Sequence, residues 1–149
     1  MGSGASGTIV AISIGERRGT KKENVPSAEL RAGHGIEGDA HAGEPRRQVS
    51  LLAGESIAKM VAAGLDVGPG SFAENFTTSG IDLVSLAVGD RLRLGDDVEF
   101  EVMQIGKECH DRCAVYELAG DCVMPREGVF ARVACGGRIN VGDEIELIS

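Results

Sequence analysis

The stretch VGDRLRL, Val88 to Leu94, decides the fold class, because it recurs with small changes as VGDEIEL, Val141 to Leu147. In both stretches a Gly-Asp pair precedes residues that alternate between polar and apolar, as in a half-exposed antiparallel strand that leaves a tight turn. The stretch VEFEVMQI, Val98 to Ile105, alternates in the same way. The sequence therefore predicts that β-hairpins dominate the C-terminal half.

The rest of the chain adds further strands and one helix to this picture. GTIVAISIG, residues 7–15, is a β-branched run between glycines, and Val49–Leu52 is a shorter apolar run; each predicts a strand. Apolar residues at helical spacing predict a helix over Glu55–Ala63, which ends at Gly64.

Two glycine-rich or polar stretches complete the prediction. GVFARVACGGRIN, residues 128–140, predicts strands joined by a Gly-Gly turn. ERRGTKKENVP, residues 16–26, is charged and turn-rich and predicts an exposed loop. The predicted fold is mainly β: a single-domain, β-barrel-like architecture with one or two short helices.

Composition limits the classes of function that the chain can have. It has 149 residues, 42% of them apolar, 22 glycines and a net charge of −8. An acidic chain without a Lys/Arg block lacks the basic face that nucleic-acid binding needs, and no apolar run approaches the length of a membrane span. Residues 1–7 lack the features of a signal peptide and are predicted to be a flexible leader before a domain at 8–149. The expected location is the cytoplasm, with the four cysteines as thiols or metal ligands.

The stretch GKECHDRC, residues 106–113, concentrates cysteine and histidine directly after a predicted strand. Cysteine is often simply a small buried apolar residue. Cys109, Cys113 and Cys122 could also bind zinc together with His110 or His41, although the paired C-x-x-C spacing of structural zinc sites is missing. The third reading is a reactive or metal-ligating thiolate, favoured by cationic neighbours and opposed by acidic ones.

A second candidate region is GIEGDAHAG, residues 35–43, where glycines let the backbone approach a ligand closely. Asp39 could orient His41 there, while an ordinary turn with a hydrogen-bonded histidine explains the same composition. Arg47 downstream and Arg126 in a proline-led turn carry donors suited to phosphate or carboxylate, and either could equally be a solvated surface charge.

Taken together, these stretches resemble the MOSC family, named for its likeness to the C-terminal domain of molybdenum cofactor sulfurases. The resemblance spans roughly residues 8–147 and is carried by GIEGDAHAG, RQVSLLAGESI, GSFAENFTTSGIDL, LAVGDRLRLGD, VMQIGKECH and PREGVFARV in this order. It is closest to stand-alone bacterial members. It implies a β-barrel-rich fold and an association with molybdenum cofactor (molybdopterin).

The resemblance also implies a role for one cysteine, as a molybdenum ligand in the reduction of N-hydroxylated compounds or as a sulfur carrier in cofactor sulfuration or delivery. By its distance from the preceding strand, the family's cysteine matches Cys109, which is therefore the predicted metal ligand and catalytic residue. An Arg-Cys pair in relatives of the amidoxime-reducing type matches Cys113 instead, so both thiols remain candidates.

The remaining site residues are predicted from the charge of the cofactor that the resemblance implies. Its phosphate and dithiolene are anionic, so an acidic protein needs local cations, and Arg47, Arg126 and Arg132 are the candidates. His41 could donate to the phosphate or move protons and is also a candidate catalytic residue. Asp39 and Asn75 complete the predicted cofactor-binding set.

The predicted partners are the pterin cofactor and, beyond it, molybdoenzymes or cofactor-biosynthesis proteins. A non-catalytic module that delivers the cofactor and a small zinc-binding β domain are the rival functions.

Overall fold

The computed structural model describes residues 5–15, 22–45, 47–64, 66–72, 74–105 and 128–148. Within them the chain forms eleven strands, one α-helix and one 3₁₀ turn at Leu83–Ser85. The elements are, in chain order, β1 (Ser6–Ile14), β2 (Glu23–Val25), β3 (Ser27–Arg31), β4 (Gly35–Ile36), β5 (Val49–Ala53), α1 (Gly54–Ala62), β6 (Phe76–Ser79), β7 (Arg91–Leu94), β8 (Val98–Ile105), β9 (Val129–Cys135), β10 (Gly137–Asn140) and β11 (Glu144–Leu147).

Seven of these strands close into a barrel, in the order β11-β7-β8-β9-β5-β6-β1, with β1 pairing back onto β11. Only the β5–β6 pair of the barrel is parallel. The apolar faces of the strands meet inside, where the rings of Phe76 and Phe100 lie 5.5 Å apart. The predicted mainly β, barrel-like fold is thus confirmed.

The two similar stretches that predicted the hairpins have the same local structure. In each, the aspartate of the Gly-Asp pair accepts the backbone N–H three residues earlier: Asp90 from Ala87 at 2.8 Å and Asp143 from Asn140 at 2.9 Å. The strands that follow, β7 and β11, are antiparallel neighbours in the barrel. Because the alternation is strict, each strand buries one set of side chains and exposes the other.

The predicted helix is α1, one residue earlier at each end than expected, and Gly64 follows it in the left-handed conformation at φ 97°. Helix α1 packs on the outside of the barrel over a second, smaller apolar cluster of buried side chains. That cluster consists of Leu52, Ile57, Phe72 and Phe130. No helix in the described part of the chain is long and apolar enough to cross a membrane.

Three features differ from the sequence-based expectation. The Gly-Gly pair does not close a hairpin between β9 and β10, because β10 pairs with β3 in a separate three-stranded sheet. The stretch 16–26 is not all loop, since Lys22 is buried and β2 pairs with β1. Strand β1 begins at Ser6, one residue before the strand predicted over 7–15.

Candidate functional site

The predicted Asp-x-His turn lies against the end of β1. Gly38, at φ 86°, reverses the chain just before Asp39, a conformation that a residue with a Cβ rarely adopts. The Ala40 amide then donates to the carbonyl oxygen of Gly15 at 2.7 Å, and the Gly15 amide donates to Asp39 Oδ1 at 3.1 Å. The turn is therefore fixed to the end of β1 through the Asp39 side chain and the backbone of the next residue.

A buried ion pair stands at the centre of this turn. Lys22 Nζ lies 2.7 Å from Asp39 Oδ1, and neither side chain has any solvent exposure. His41 completes what we call the Asp39 cluster (Lys22, Asp39 and His41): its backbone N–H donates to Asp39 Oδ2 at 3.1 Å, and its Nδ1 lies 3.4 Å from Lys22 Nζ. The His41 side chain is 21% exposed, so the imidazole is the part of the cluster that solvent reaches.

The Asp39 carboxylate is ionised because its partners outweigh its burial. Burial by itself would raise the pKa of Asp39, but contacts with His41, Lys22 and the Gly15 amide hold the pKa well below its ordinary value. A charged pair without water contact needs such hydrogen bonds to offset its desolvation. Lys22 was not among the residues predicted for the site, because its charged neighbours in sequence indicate a solvated loop.

A second buried carboxyl, Glu74, lies next to the cluster and was also missed. Glu74 accepts the Gly70 amide at 2.9 Å, the Phe72 amide at 3.2 Å and the Thr77 hydroxyl at 3.1 Å. Burial raises the pKa of Glu74 despite these donors. The carbonyl oxygen of Gly70 accepts the Lys22 amide at 2.9 Å, so the backbone of one residue connects the two carboxyl environments.

Glycine at position 70 is required by this close approach. A Cβ there would lie 2.5 Å from the Lys22 carbonyl oxygen and 3.0 Å from the Ser13 hydroxyl, and the residue has φ 90°. The glycine therefore lets Lys22, directly before β2, contact the loop that carries Glu74 with no side chain between the two backbones.

Asn75, predicted to bind cofactor, lies in the interior with no exposure. Its Oδ1 accepts the Ser50 amide at 3.0 Å, and its Nδ2 donates to the Ser13 carbonyl oxygen at 3.1 Å. The side chain thus connects β5 with β1, two residues before the Gly15 amide that holds Asp39. In this position Asn75 supports the end of β1 on which the Asp39 cluster rests.

Arg47 lies at a different place in the fold, beside the paired ends of β8 and β9. Its guanidinium carbon is 5.8 Å from the centroid of the Phe130 ring, a cation–π contact, and the residue is exposed. Phe130 pairs with Gln104, and the next pair is Ile105 with Val129. In the sequence, residues 106–127 lie between these two strand ends, so Arg47 lies beside the described residues that precede and follow that stretch.

Arg132, the third predicted cation, is on the outer face of β9 and already paired. Its Nε donates to Glu101 Oε1 at 2.7 Å across the β8–β9 ladder. With its side chain 41% exposed, Arg132 can still offer part of its guanidinium to solvent.

The predicted cysteine region lies outside the described residues. Cys109, Cys113, Cys122, His110 and Arg126 all fall within 106–127. The predicted meeting of His41, Arg47 and Arg126 around Cys109 therefore stays a prediction. Among the described residues no three of His, Cys, Asp and Glu are grouped closely enough to hold a metal ion, and Cys135 is an exposed free thiol.

A cleft of about 470 Å³ lies elsewhere, between helix α1 and residues 80–83. Its polar lining includes Glu55, Lys59 and Asp82, and Glu55 Oε2 accepts the Gly80 amide at 2.9 Å. It contains none of the predicted site residues. We place the candidate site at the Asp39 cluster instead, because it contains the predicted Asp39 and His41, and because a fully buried ion pair beside a part-exposed histidine is typical of functional sites.

The MOSC domain family model matches residues 38–146, more than half of the chain. The chain belongs to the MOSC domain family. The match begins at the turn that carries Asp39 and His41 and runs through the barrel to β11. Membership relates the chain to molybdenum cofactor in general.

Solved structures agree with the MOSC fold. The YUAD protein from Bacillus subtilis is 21% identical with a TM-score of 0.81, and 95% of each chain is covered. YiiM from Escherichia coli is 21% identical with a TM-score of 0.68, covering 95% of this chain and 70% of that one. YiiM from Geobacillus stearothermophilus is 19% identical with a TM-score of 0.72, covering 96% and 75%. At these sequence identities the similarity shows the fold alone. A comparison with curated proteins found no match.

Proposed function

We propose that this MOSC protein binds molybdenum cofactor and uses the thiolate of Cys109 as a molybdenum ligand or as a sulfur carrier. The observation that carries the proposal is the Asp39 cluster, in which a buried ion pair presents the part-exposed imidazole of His41. A buried ion pair adds little net stability because of its desolvation cost, so its presence beside a part-exposed histidine supports a role in holding a ligand-binding side chain. Membership of the MOSC domain family supplies the ligand class.

The described donors fit the anionic phosphate of such a cofactor. Arg47 offers an exposed guanidinium that is held over Phe130, and His41 offers a ring nitrogen. Lys22 is neutralised by Asp39, and Arg132 is largely engaged with Glu101. We therefore propose His41 as the donor to the phosphate, with Arg47 and Arg126 as further candidate cations for the anionic groups of the cofactor. When bound, the cofactor supplies the molybdenum redox chemistry, and the chain binds and orients it.

A soft thiolate is the side chain suited both to a transition metal and to a persulfide, which is why the proposal includes Cys109. As a ligand, Cys109 would serve the reduction of N-hydroxylated compounds; as a carrier, it would serve cofactor sulfuration or delivery. The proposed partners are accordingly the pterin cofactor and molybdoenzymes or cofactor-biosynthesis proteins.

The test is metal and pterin analysis of the protein purified from cells that make the cofactor. We expect molybdenum and a fluorescent pterin oxidation product at comparable molar amounts in the wild type. Cys109→Ser should lose molybdenum or sulfane sulfur, whereas the matched control Cys135→Ser, at the exposed thiol, should keep both. Loss in Cys113→Ser alone would transfer the role to that residue.

Other outcomes separate the rival functions. Pterin and molybdenum that persist in both Cys109→Ser and Cys113→Ser, with no sulfane sulfur in the wild type, would indicate a non-catalytic delivery module. Zinc without pterin would overturn the proposal in favour of a zinc-binding domain.

A further inference from the structure

The Asp39 cluster leaves open which nitrogen of His41 carries the proton, and the surrounding donors decide it. Neutral imidazole has one N–H donor and one acceptor nitrogen, and the two tautomers perform different chemistry. Nδ1 faces the interior of the cluster, 3.4 Å from Lys22 Nζ and 3.5 Å from Asp39 Oδ2. The two neighbours favour opposite protonation states of Nδ1, because an ammonium can only donate a hydrogen bond and a carboxylate can only accept one.

The carboxylate is already well supplied with donors. Asp39 Oδ1 accepts from Lys22 Nζ and from the Gly15 amide, and Oδ2 accepts the backbone N–H of His41 at 3.1 Å. A proton on Nδ1 would add a fourth donor, at 3.5 Å, to a group that already has three donors at 2.7–3.1 Å.

Within the described residues, the ammonium has fewer side-chain acceptors than it has N–H donors. Lys22 Nζ has three N–H donors and no exposure, and within the described part of the chain its side-chain acceptors are Asp39 Oδ1 and His41 Nδ1. If Nδ1 carried a proton, it could not accept from the ammonium, and a buried charged donor would lose an acceptor, which is costly. Donor satisfaction therefore favours an unprotonated Nδ1.

From this geometry we infer that Lys22 is a positioning residue that holds His41 as the Nε2–H tautomer, so that His41 meets an oxyanion as a hydrogen-bond donor and not as a general base. The inference rests on the proposed function for the identity of that oxyanion, a phosphate group. The sequence leaves two roles open to His41, as a donor to the phosphate or as a group that moves protons. The second role is excluded for the neutral ring, since an Nε2 that already carries the proton cannot also accept one.

The tautomer can be measured directly by ¹⁵N NMR of the imidazole, without any ligand, at about pH 8.5, roughly two units above the ordinary imidazole pKa. We expect the Nε2–H pattern for His41 in the wild type. An Nδ1–H pattern in the wild type would overturn the inference by itself, so the test does not depend on a variant that folds.

The role of Lys22 is tested by Lys22→Met, which removes the donor and leaves Asp39 as the neighbour of Nδ1. We expect His41 to change to the Nδ1–H tautomer, while the resonances of the part-exposed His34 stay in place. The matched control Lys59→Met removes one positive charge from helix α1 and should leave His41 unchanged. An unchanged His41 in a folded Lys22→Met, or the same change in Lys59→Met, would contradict a positioning role.

The donor role is tested by the pterin content of two His41 variants. His41→Gln keeps an N–H donor near the position of Nε2 and should retain pterin within about twofold of the wild type. His41→Ala should retain about tenfold less, the effect of one hydrogen bond to a charged group. Equal loss in both variants would refute the donor role. If the wild type itself holds no pterin, the proposed function fails, and the NMR measurement still decides what Lys22 does.

Discussion

Asp39 makes stability depend on pH in the acidic range. Its pKa is lowered in the folded protein, so its contribution is complete above the unfolded-state pKa of about 3.9 and is lost as the pH falls toward the folded value. Asp39→Asn should be less stable at pH 7 by about 3–5 kcal/mol, because Lys22 is left as an uncompensated buried charge. Urea unfolding should show this difference shrinking as the pH falls below about 4.

The control for this effect is Asp96→Asn, at an exposed aspartate in the turn between β7 and β8. The unfolding free energy of this variant should lie within about 0.5 kcal/mol of the wild-type value at every pH of the titration. A difference between the wild type and Asp39→Asn that is constant with pH would contradict the lowered pKa.

The shifted pKa of Glu74 makes stability depend on pH in the opposite direction. Its pKa is raised in the folded protein, so the folded state holds the proton more tightly and the contribution of Glu74 declines as the pH rises through the folded value. In urea titrations between pH 4 and 8, the wild type should lose stability relative to Glu74→Gln. Glutamine lacks one carboxylate oxygen as an acceptor, and this shifts the difference in unfolding free energy by an amount that does not vary with pH. The change of that difference with pH therefore reports the titration of Glu74. Exposed Glu144→Gln should follow the wild-type slope.

At the scale of elements, helix α1 depends on a few contacts with the outside of the barrel. Ile57 is 5% exposed in the cluster with Leu52, Phe72 and Phe130, whereas Val61 on the same helix is 50% exposed. Ile57→Ala should therefore cost about 2–5 kcal/mol in urea unfolding, and Val61→Ala about 0.5 kcal/mol or less. Similar losses for both would mean that the helix is held by its own propensity and not by this cluster.

At the scale of the whole molecule, closure of the barrel depends on Gly7. This residue pairs with Ile145 of β11, and a Cβ would come within 2.2 Å of the Ser79 carbonyl oxygen and 2.6 Å of the Ile81 amide. Gly7→Ala must push β1 away from the end of β6 and should lower the unfolding free energy by about 1–3 kcal/mol. The readout is the midpoint of thermal unfolding by circular dichroism.

Gly68→Ala is the matched control, because a Cβ there meets nothing within 4 Å and the glycine does not have a positive φ. It should be neutral or stabilise by about 0.4–1 kcal/mol, since alanine reduces the freedom of the unfolded chain. A tolerated Gly7→Ala would show that the contact between β1 and the end of β6 relaxes easily.

The sequence by itself determined the elements that depend on local pattern. Strict alternation predicted the hairpin strands, including β8 at its observed bounds, and helical spacing before Gly64 predicted α1 to within one residue. The Asp39–His41 turn was also predictable, because a short glycine-rich stretch brings both side chains together with few other elements. These signals are local, since they come from neighbours on one strand, one helix or one turn.

Only the tertiary structure decided which distant segments meet. The Gly-Gly pair predicted a hairpin, yet β10 found its partner in β3, more than a hundred residues earlier in the chain. Lys22 looked solvated among charged neighbours, and its burial depends on Asp39, Gly70 and the end of β1. Glu74 likewise owes its environment to Gly70 and Thr77. The physical reason is that the burial of a charge depends on partners brought together by barrel closure, which no local period encodes.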